Sequence, residues 1–342
     1  MATIKPQALQ KGDIVGVVAP SDAVERHTLE AAAKIPKSWG LKIRYGKHVY
    51  AKVGDFAAGT PEERIEDLRS MIYDPEVKAI WCATGGYAAT EVLPVFDRET
   101  IGHLKTHPKW LIGYSDVCLL QNALSSFNIV SLMGPSLWGL PEWDSFSQDY
   151  IYKILFGEEI LGIDEKNKWK AALPGVAEGK IICNDLETLI FSFGTRFDPI
   201  MYGGGDILLG LEELDIEKST LQRQIDIIFN HKKAYRIKGM FVGRLVNILE
   251  NSYPEWGRKV TPQSLIYDRA KKFGIPLAFC EDFGHCEWDY GPFSQIKKQF
   301  SNRRFLTIPN CINARLTVTD KECKLEYLET ICNMPMTTSE KN

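Results

Sequence analysis

Residues 110–124, WLIGYSDVCLLQNAL, decide how this chain is read. Trp110, Leu111 and Ile112 make a short apolar run of the kind that forms a buried strand. The run stops at Gly113-Tyr114-Ser115-Asp116. An apolar helical pattern follows at once, with Val117, Leu119, Leu120, Ala123 and Leu124. A serine on such a strand-to-helix turn has its hydroxyl thrust out of the sheet, with a helix N-terminus beneath it. The first helical amides and the helix dipole favour negative charge there, which suits a nucleophile. The usual elbow has glycine two residues after the serine, whereas this chain has Val117. Taken alone, the turn reads equally as a serine capping an ordinary helix.

Strand and helix signals alternate on both sides of this stretch. Residues 14–19 (IVGVVA) predict a buried strand ending at Pro20-Ser21, followed by a helix over 24–39 and a strand over 42–45. Thr60-Pro61-Glu62-Glu63 is a helix start with a capping box, and Ile65, Leu68, Met71 and Ile72 share one face of that helix. Residues 79–83 predict a strand, then Gly85-Gly86 and a helix through Val92; residues 129–133 follow as a further strand. Repeated βα units imply a parallel sheet flanked by helices, with chemistry beyond the carboxyl ends of the strands. Gly85-Gly86 and Ser115 both fall at such ends.

The pattern loosens over 138–178 and resumes with strands near 179–183, 207–211, 240–241 and 277–280. Helices start at Leu186 and at Thr261-Pro262, and another carries Leu221, Ile225, Ile228 and Phe229 on one face. Short β patterns lie at 312–318 and 325–327. The expected organisation is an N-terminal α/β domain over 1–140, a connection over 141–178, a C-terminal domain over 179–332 and a disordered tail over 333–342.

The chain has 342 residues, enough for two domains and a full core. Its net charge of −3 gives no electrostatic case for nucleic acid or an anionic membrane. The eight cysteines form no CxxC pair, which points to free buried thiols in a reducing compartment. Neither a signal peptide nor a membrane-spanning run is legible, so the expected setting is the cytoplasm.

A nucleophilic serine needs a base, and the base needs a third group to orient it. Of six histidines, His27, His48, His103, His107 and His231 lie in polar or helical surface patterns and read as solvated. His285 stands just past the strand LAFC, after Gly284. Glu212 and Glu213 follow the apolar run 207–211, and strand alternation turns one inward and the other away. A carboxylate ending so apolar a strand needs a partner to offset desolvation, and an imidazole supplies one. A pair of solvated acids is the alternative. The amides of Asp116 and of the Gly85-Gly86 turn could serve an oxyanion. Cys280, His285 and Cys286 make a poor zinc set, so neither a metal nor a cofactor is expected.

Together these residues resemble the serine peptidases of family S66, the L,D-carboxypeptidases of murein recycling and the related microcin C immunity peptidases. The resemblance rests on Gly12-Asp13, Ala19-Pro20-Ser21, Arg64 to Leu68, Ile72-Tyr73-Asp74-Pro75, Thr84-Gly85-Gly86-Tyr87, Leu93-Pro94, Ile112-Gly113-Tyr114-Ser115-Asp116, Gly134-Pro135, Leu211-Glu212-Glu213 and Gly284-His285. It implies Ser115 as nucleophile, His285 as general base and Glu212 as the residue that orients it, with Gly86 and Asp116 as oxyanion donors. It implies a Rossmann-like N-terminal domain, a smaller mixed C-terminal domain with β-barrel character, a site in the cleft between them, and a homodimer. Tyr87, Asp185 and Trp288 are candidate substrate-binding residues. The chain departs from the family pattern at Cys183-Asn184-Asp185, where Gly-Gly-Asn is usual, and in a long aromatic and basic segment after His285. Trp138, Trp143 and Trp169 lie where the immunity peptidases carry an aromatic-rich loop. The expected activity is hydrolysis of a terminal peptide bond in a small murein tetrapeptide-like substrate through an acyl-enzyme. Cleavage of an aminoacyl-nucleotide or another amide is the second expectation, and a ligand-binding protein on the same scaffold the third.

Overall fold

The computed structural model describes residues 2–160, 162–163, 169–249, 260–286 and 303–335. Five strands form the body of a first sheet: β1 (Ile14–Val18), β2 (Lys42–Tyr45), β3 (Val77–Cys82), β4 (Trp110–Gly113) and β5 (Leu132–Met133). They run parallel in the order β2-β1-β3-β4-β5. The central strands are buried almost throughout, as expected where helices cover both faces. One of these helices, Pro61–Tyr73, begins at the capping box read from sequence: Glu63 N–H donates to Thr60 Oγ1 at 3.3 Å and Thr60 N–H to Glu63 Oε2 at 2.9 Å.

The second sheet holds β6 (Gly162–Ile163), β7 (Trp169–Leu173), β8 (Gly175–Asp185), β9 (Ile207–Leu214), β10 (Ile237–Val246) and β11 (Leu277–Cys280). After β12 (Ile308–Pro309), the chain adds β13 (Asn313–Val318) and β14 (Cys323–Tyr327) to it. The order is β6-β14-β13-β8-β9-β10-β11-β7. Strands β8 to β11 are parallel, while β6, β7, β13 and β14 join antiparallel. The sheet curls enough for edge strand β7 to approach β13 and β14. Strand β12 does not belong here. It returns to the first sheet and pairs antiparallel with β5, Ile308 opposite Met133.

Four expectations change. The helix over 24–39 is two, Arg26–Ala32 and Lys34–Ser38, because Pro36 has no N–H for the carbonyl of Ala32 four residues back. After Gly86 the chain forms a 3-10 helix, Ala89–Val95, with Pro94 inside it. The stretch 141–178, expected as a connection, carries the helix Ser145–Phe156, strands β6 and β7, and the start of β8. Asn333, where the tail was expected to begin, donates its N–H to Pro6 O at 2.9 Å; residues 336–342 lie outside the described residues. All eight cysteines are buried. Among the described residues no helix is long and apolar enough to cross a membrane.

Candidate active site

Ser115 follows β4 with φ 63°, in the left-handed region. A residue with a Cβ is held there at a cost of about 1–2 kcal/mol. The 3-10 turn Ser115–Val117 leads straight into the helix Cys118–Ser125. Gly85, past the end of β3, passes so close that a Cβ on it would come 2.8 Å from Ser115 Cβ and 3.0 Å from Oγ. The side chain of Asp116 turns inward. Its Oδ2 accepts from Ser21 Oγ–H at 2.5 Å and from Ala89 N–H at 2.7 Å, and Ser21 Oγ accepts from Ala88 N–H at 3.1 Å. The loops after β1, β3 and β4 are therefore tied together on one buried carboxylate. Burial pushes that carboxyl up to about 6.

The second sheet supplies the acid and the imidazole. Glu212 lies on β9, fully buried, and His285 lies in the loop after β11. Glu212 Oε2 accepts from His285 Nδ1–H at 2.8 Å and from the His285 backbone N–H at 3.0 Å. A carboxylate acceptor assigns the ring proton to Nδ1 and leaves Nε2 as the acceptor. Gly284 has φ +91°, and a Cβ there would meet Glu212 Cβ at 2.6 Å, so the loop closes on the acid only with glycine. The Tyr114 ring packs 4.9 Å from the imidazole, centroid to centroid. From behind, the buried Arg244 of β10 donates to Gly284 O at 3.0 Å.

Asp185 ends β8 and sits directly opposite Glu212 in the parallel ladder, so the two carboxylates share a face. Its Oδ1 accepts from Thr188 N–H at 2.9 Å and caps the helix Leu186–Ser192. Burial, and then the charge of Glu212, raise its carboxyl above the usual range. Glu213 was one of two acids expected to point to opposite sides. Both are buried, because the strand is covered on each face. Burial, and then the charge of Asp185, push the Glu213 carboxyl well above its ordinary value, and its Oε1 accepts from Leu214 N–H at 2.8 Å.

A cavity of about 640 Å³ joins the two sheets, lined by Gly86, Tyr87, Ser115, Asp116, Asp185 and His285 among others. Glu212 is sealed behind this surface, on the far side of His285. Trp288 lies outside the described residues. Of the three tryptophans, Trp138 lines the cavity, Trp143 is buried against Phe305 at 4.9 Å, and Trp169 belongs to β7. Two residues were not read from sequence as part of the site. Ser21 anchors Asp116, and Asp22 Oδ1 accepts from Tyr87 N–H at 2.9 Å beside Gly86. Their position past the end of β1 was the available signal. His231 is not solvated as expected; its ring packs on Phe193 and its Nε2 lies 3.0 Å from buried Asp198.

An α/β scaffold with a serine at a strained strand end and an acid-bound imidazole across a cleft is the layout of a hydrolase. Sequence profiles of the LD-carboxypeptidase N-terminal and C-terminal domains match residues 15–134 and 178–290. The chain belongs to this family, peptidase family S66. It is 32% identical over 288 residues to a probable murein peptide carboxypeptidase of Bacillus subtilis, covering 82% of this chain and 86% of the relative. It is 24% identical over 273 residues to the microcin C7 self-immunity protein MccF of Escherichia coli, covering 69% and 76%. The fold is that of MccF solved with glutamyl sulfamoyl guanosine, with TM-score 0.77 and 17% identity over 96% of this chain and all of that one. It is also that of the muramoyltetrapeptide carboxypeptidase from Oxalobacter formigenes, with TM-score 0.73 and 18% identity over 94% and 100%.

Proposed function

We propose that this peptidase is a serine carboxypeptidase that removes the terminal residue of a murein tetrapeptide-like substrate through an acyl-enzyme. The observation that carries the reading is the doubly hydrogen-bonded Glu212–His285 pair opening on the cavity that Ser115 lines. Ser115 Oγ attacks the scissile carbonyl as His285 Nε2 takes its proton. Glu212 holds the Nδ1–H and stabilises the imidazolium. The amides of Gly86 and Asp116 receive the oxyanion. His285 then gives its proton to the departing amine, and water repeats the sequence on the ester to release the shortened peptide. The relatives named for murein peptides support this substrate.

A second substrate is favoured by the cavity mouth, where the exposed rings of Tyr87 and Phe191 join Trp138. Such faces stack on a flat nucleobase, and MccF was solved with aminoacyl sulfamoyl nucleosides. Mass spectrometry after incubation with an L,D-tetrapeptide and with an aminoacyl-nucleotide analogue separates the two readings. A fluorophosphonate probe tests the nucleophile: it labels the wild type and not Ser115→Ala, and equal labelling of both overturns the assignment. The reading includes a cytoplasmic homodimer, which light scattering of the purified chain tests for its mass.

A further inference from the structure

The acid–imidazole pair has a neighbour that the proposed reaction leaves without a chemical step. Asp185, Glu212 and His285 each present a donor atom within 4.8 Å of the other two, and all three are buried. The sequence drew attention to Cys280 and Cys286 around this histidine, but the groups gathered on it are carboxylates. We propose that these three side chains form a divalent-cation site, suited to Zn²⁺, whose occupation switches the hydrolytic machinery off. Its inhibitory consequence rests on the reading of His285 as base; the binding does not.

One imidazole and two carboxylates are a donor set that Zn²⁺ accepts, and three protein ligands leave a fourth position for water. Zinc–ligand bonds of roughly 2.0–2.2 Å put tetrahedral donors about 3.3 Å apart, so the Glu212–His285 pair, at 2.8 Å, has to open by about 0.5 Å and the wider separations, up to 4.8 Å, close by at most about 1.5 Å. The carboxylates are firmly held for this. They project from paired positions on adjacent strands, and Asp185 is further fixed by its bond from Thr188 N–H. The route in is also suited to a cation. Among the described residues, every charged group lining the cavity besides His285 is an acid: Asp22, Glu25, Asp116, Asp185, Glu187 and Asp215. A cleft lined by one sign of charge concentrates the opposite ion.

Binding has a defined consequence for the imidazole. Glu212 now faces Nδ1–H. A metal on Nδ1 takes that nitrogen's lone pair, so the single ring proton moves to Nε2 by exchange with solvent and the ring stays neutral. Nε2 then donates where catalysis needs it to accept, and it can no longer take the proton of Ser115. Glu212 meanwhile ligates the metal instead of orienting the base.

The test uses the chelator-washed full chain, titrated with Co²⁺ by absorption and with Zn²⁺ by competition against a zinc-binding dye, alongside hydrolysis of an L,D-tetrapeptide. One ion per chain is expected, with Co²⁺ ligand-field bands free of thiolate charge transfer and hydrolysis lost in step with occupancy. Asp185→Asn and Asp185→Ser should bind at least about tenfold more weakly. The serine variant keeps a helix cap, so a folded reporter remains if the first variant collapses. Ser115→Ala should bind like the wild type. Absence of binding by the wild type, undiminished binding by the Asp185 variants, or thiolate bands would overturn the site. Full hydrolysis at full occupancy would overturn the switch. A wild type that binds the ion but leaves the tetrapeptide intact even when metal-free would refute the carboxypeptidase reading and leave the site standing.

Discussion

At the end of β4 one side chain, Ser115, is placed by backbone shape, whereas across the cavity His285 is placed by charge and burial. The serine depends on a left-handed backbone and on Gly85, where a Cβ would crowd Ser115 Cβ at 2.8 Å. The imidazole depends on Glu212, which is fully buried and bonded twice to His285. The first arrangement comes from a few consecutive residues and a glycine turn. The second needs β9, β10 and the loop after β11 to meet. A local backbone device is sensitive to volume, and an assembled electrostatic one is sensitive to charge. Substitutions that change one property at a time separate the two.

The largest effect is expected for Ser115→Ala, which keeps the backbone and removes the proposed nucleophile. Turnover of an L,D-tetrapeptide should fall by about 10⁴-fold or more, with an unchanged circular-dichroism spectrum. Glu212→Gln keeps volume and removes charge; kcat should fall by about 10³-fold while KM moves little. An equal rise in KM instead would mean that Glu212 serves binding. Gly85→Ala adds only volume, on the serine's side. A misplacement of the hydroxyl should cost about 10²-fold in kcat, with the Glu212–His285 pair untouched in the imidazole NMR signals.

The smallest effect concerns stability. The Asp116 carboxyl is raised to about 6 in the folded chain from an ordinary 3.8. Between those values the folded state holds the proton more than the unfolded state does, so unfolding free energy falls as pH rises from about 4 to 6 and levels off above that. Asp116→Asn should flatten part of this slope in urea unfolding measured across that range. The raised carboxyls of Asp22, Asp185 and Glu213 act in the same direction and keep the slope from vanishing.

The same contrast explains what the sequence disclosed. The sharp turn at Ser115 was legible because strand, turn and helix are contiguous, and the capping box at Thr60 because it spans four residues. The parallel strands of the first sheet were legible as apolar runs between turn signals. The partnership of Glu212 with His285 came from family resemblance; strand alternation alone did not tell which of Glu212 and Glu213 meets the imidazole, and both are buried because both faces of β9 are covered. The inward turn of Asp116 onto Ser21 joins residues 95 positions apart, and no local pattern encodes it. The stretch 141–178 read as a connection because its short strands take their partners from distant parts of the chain: β7 pairs with β11 and β6 with β14.

Strand β12 gives the order in which a nascent chain can complete itself. The outer edge of β5 stays uncovered until Ile308 and Pro309 have left the ribosome, and the Asn333–Pro6 bond comes later still. The amino-terminal lobe, although made first, is finished last. A polypeptide stopped short of residue 308 therefore presents a bare strand to its neighbours, and expression of that lobe alone should yield aggregate.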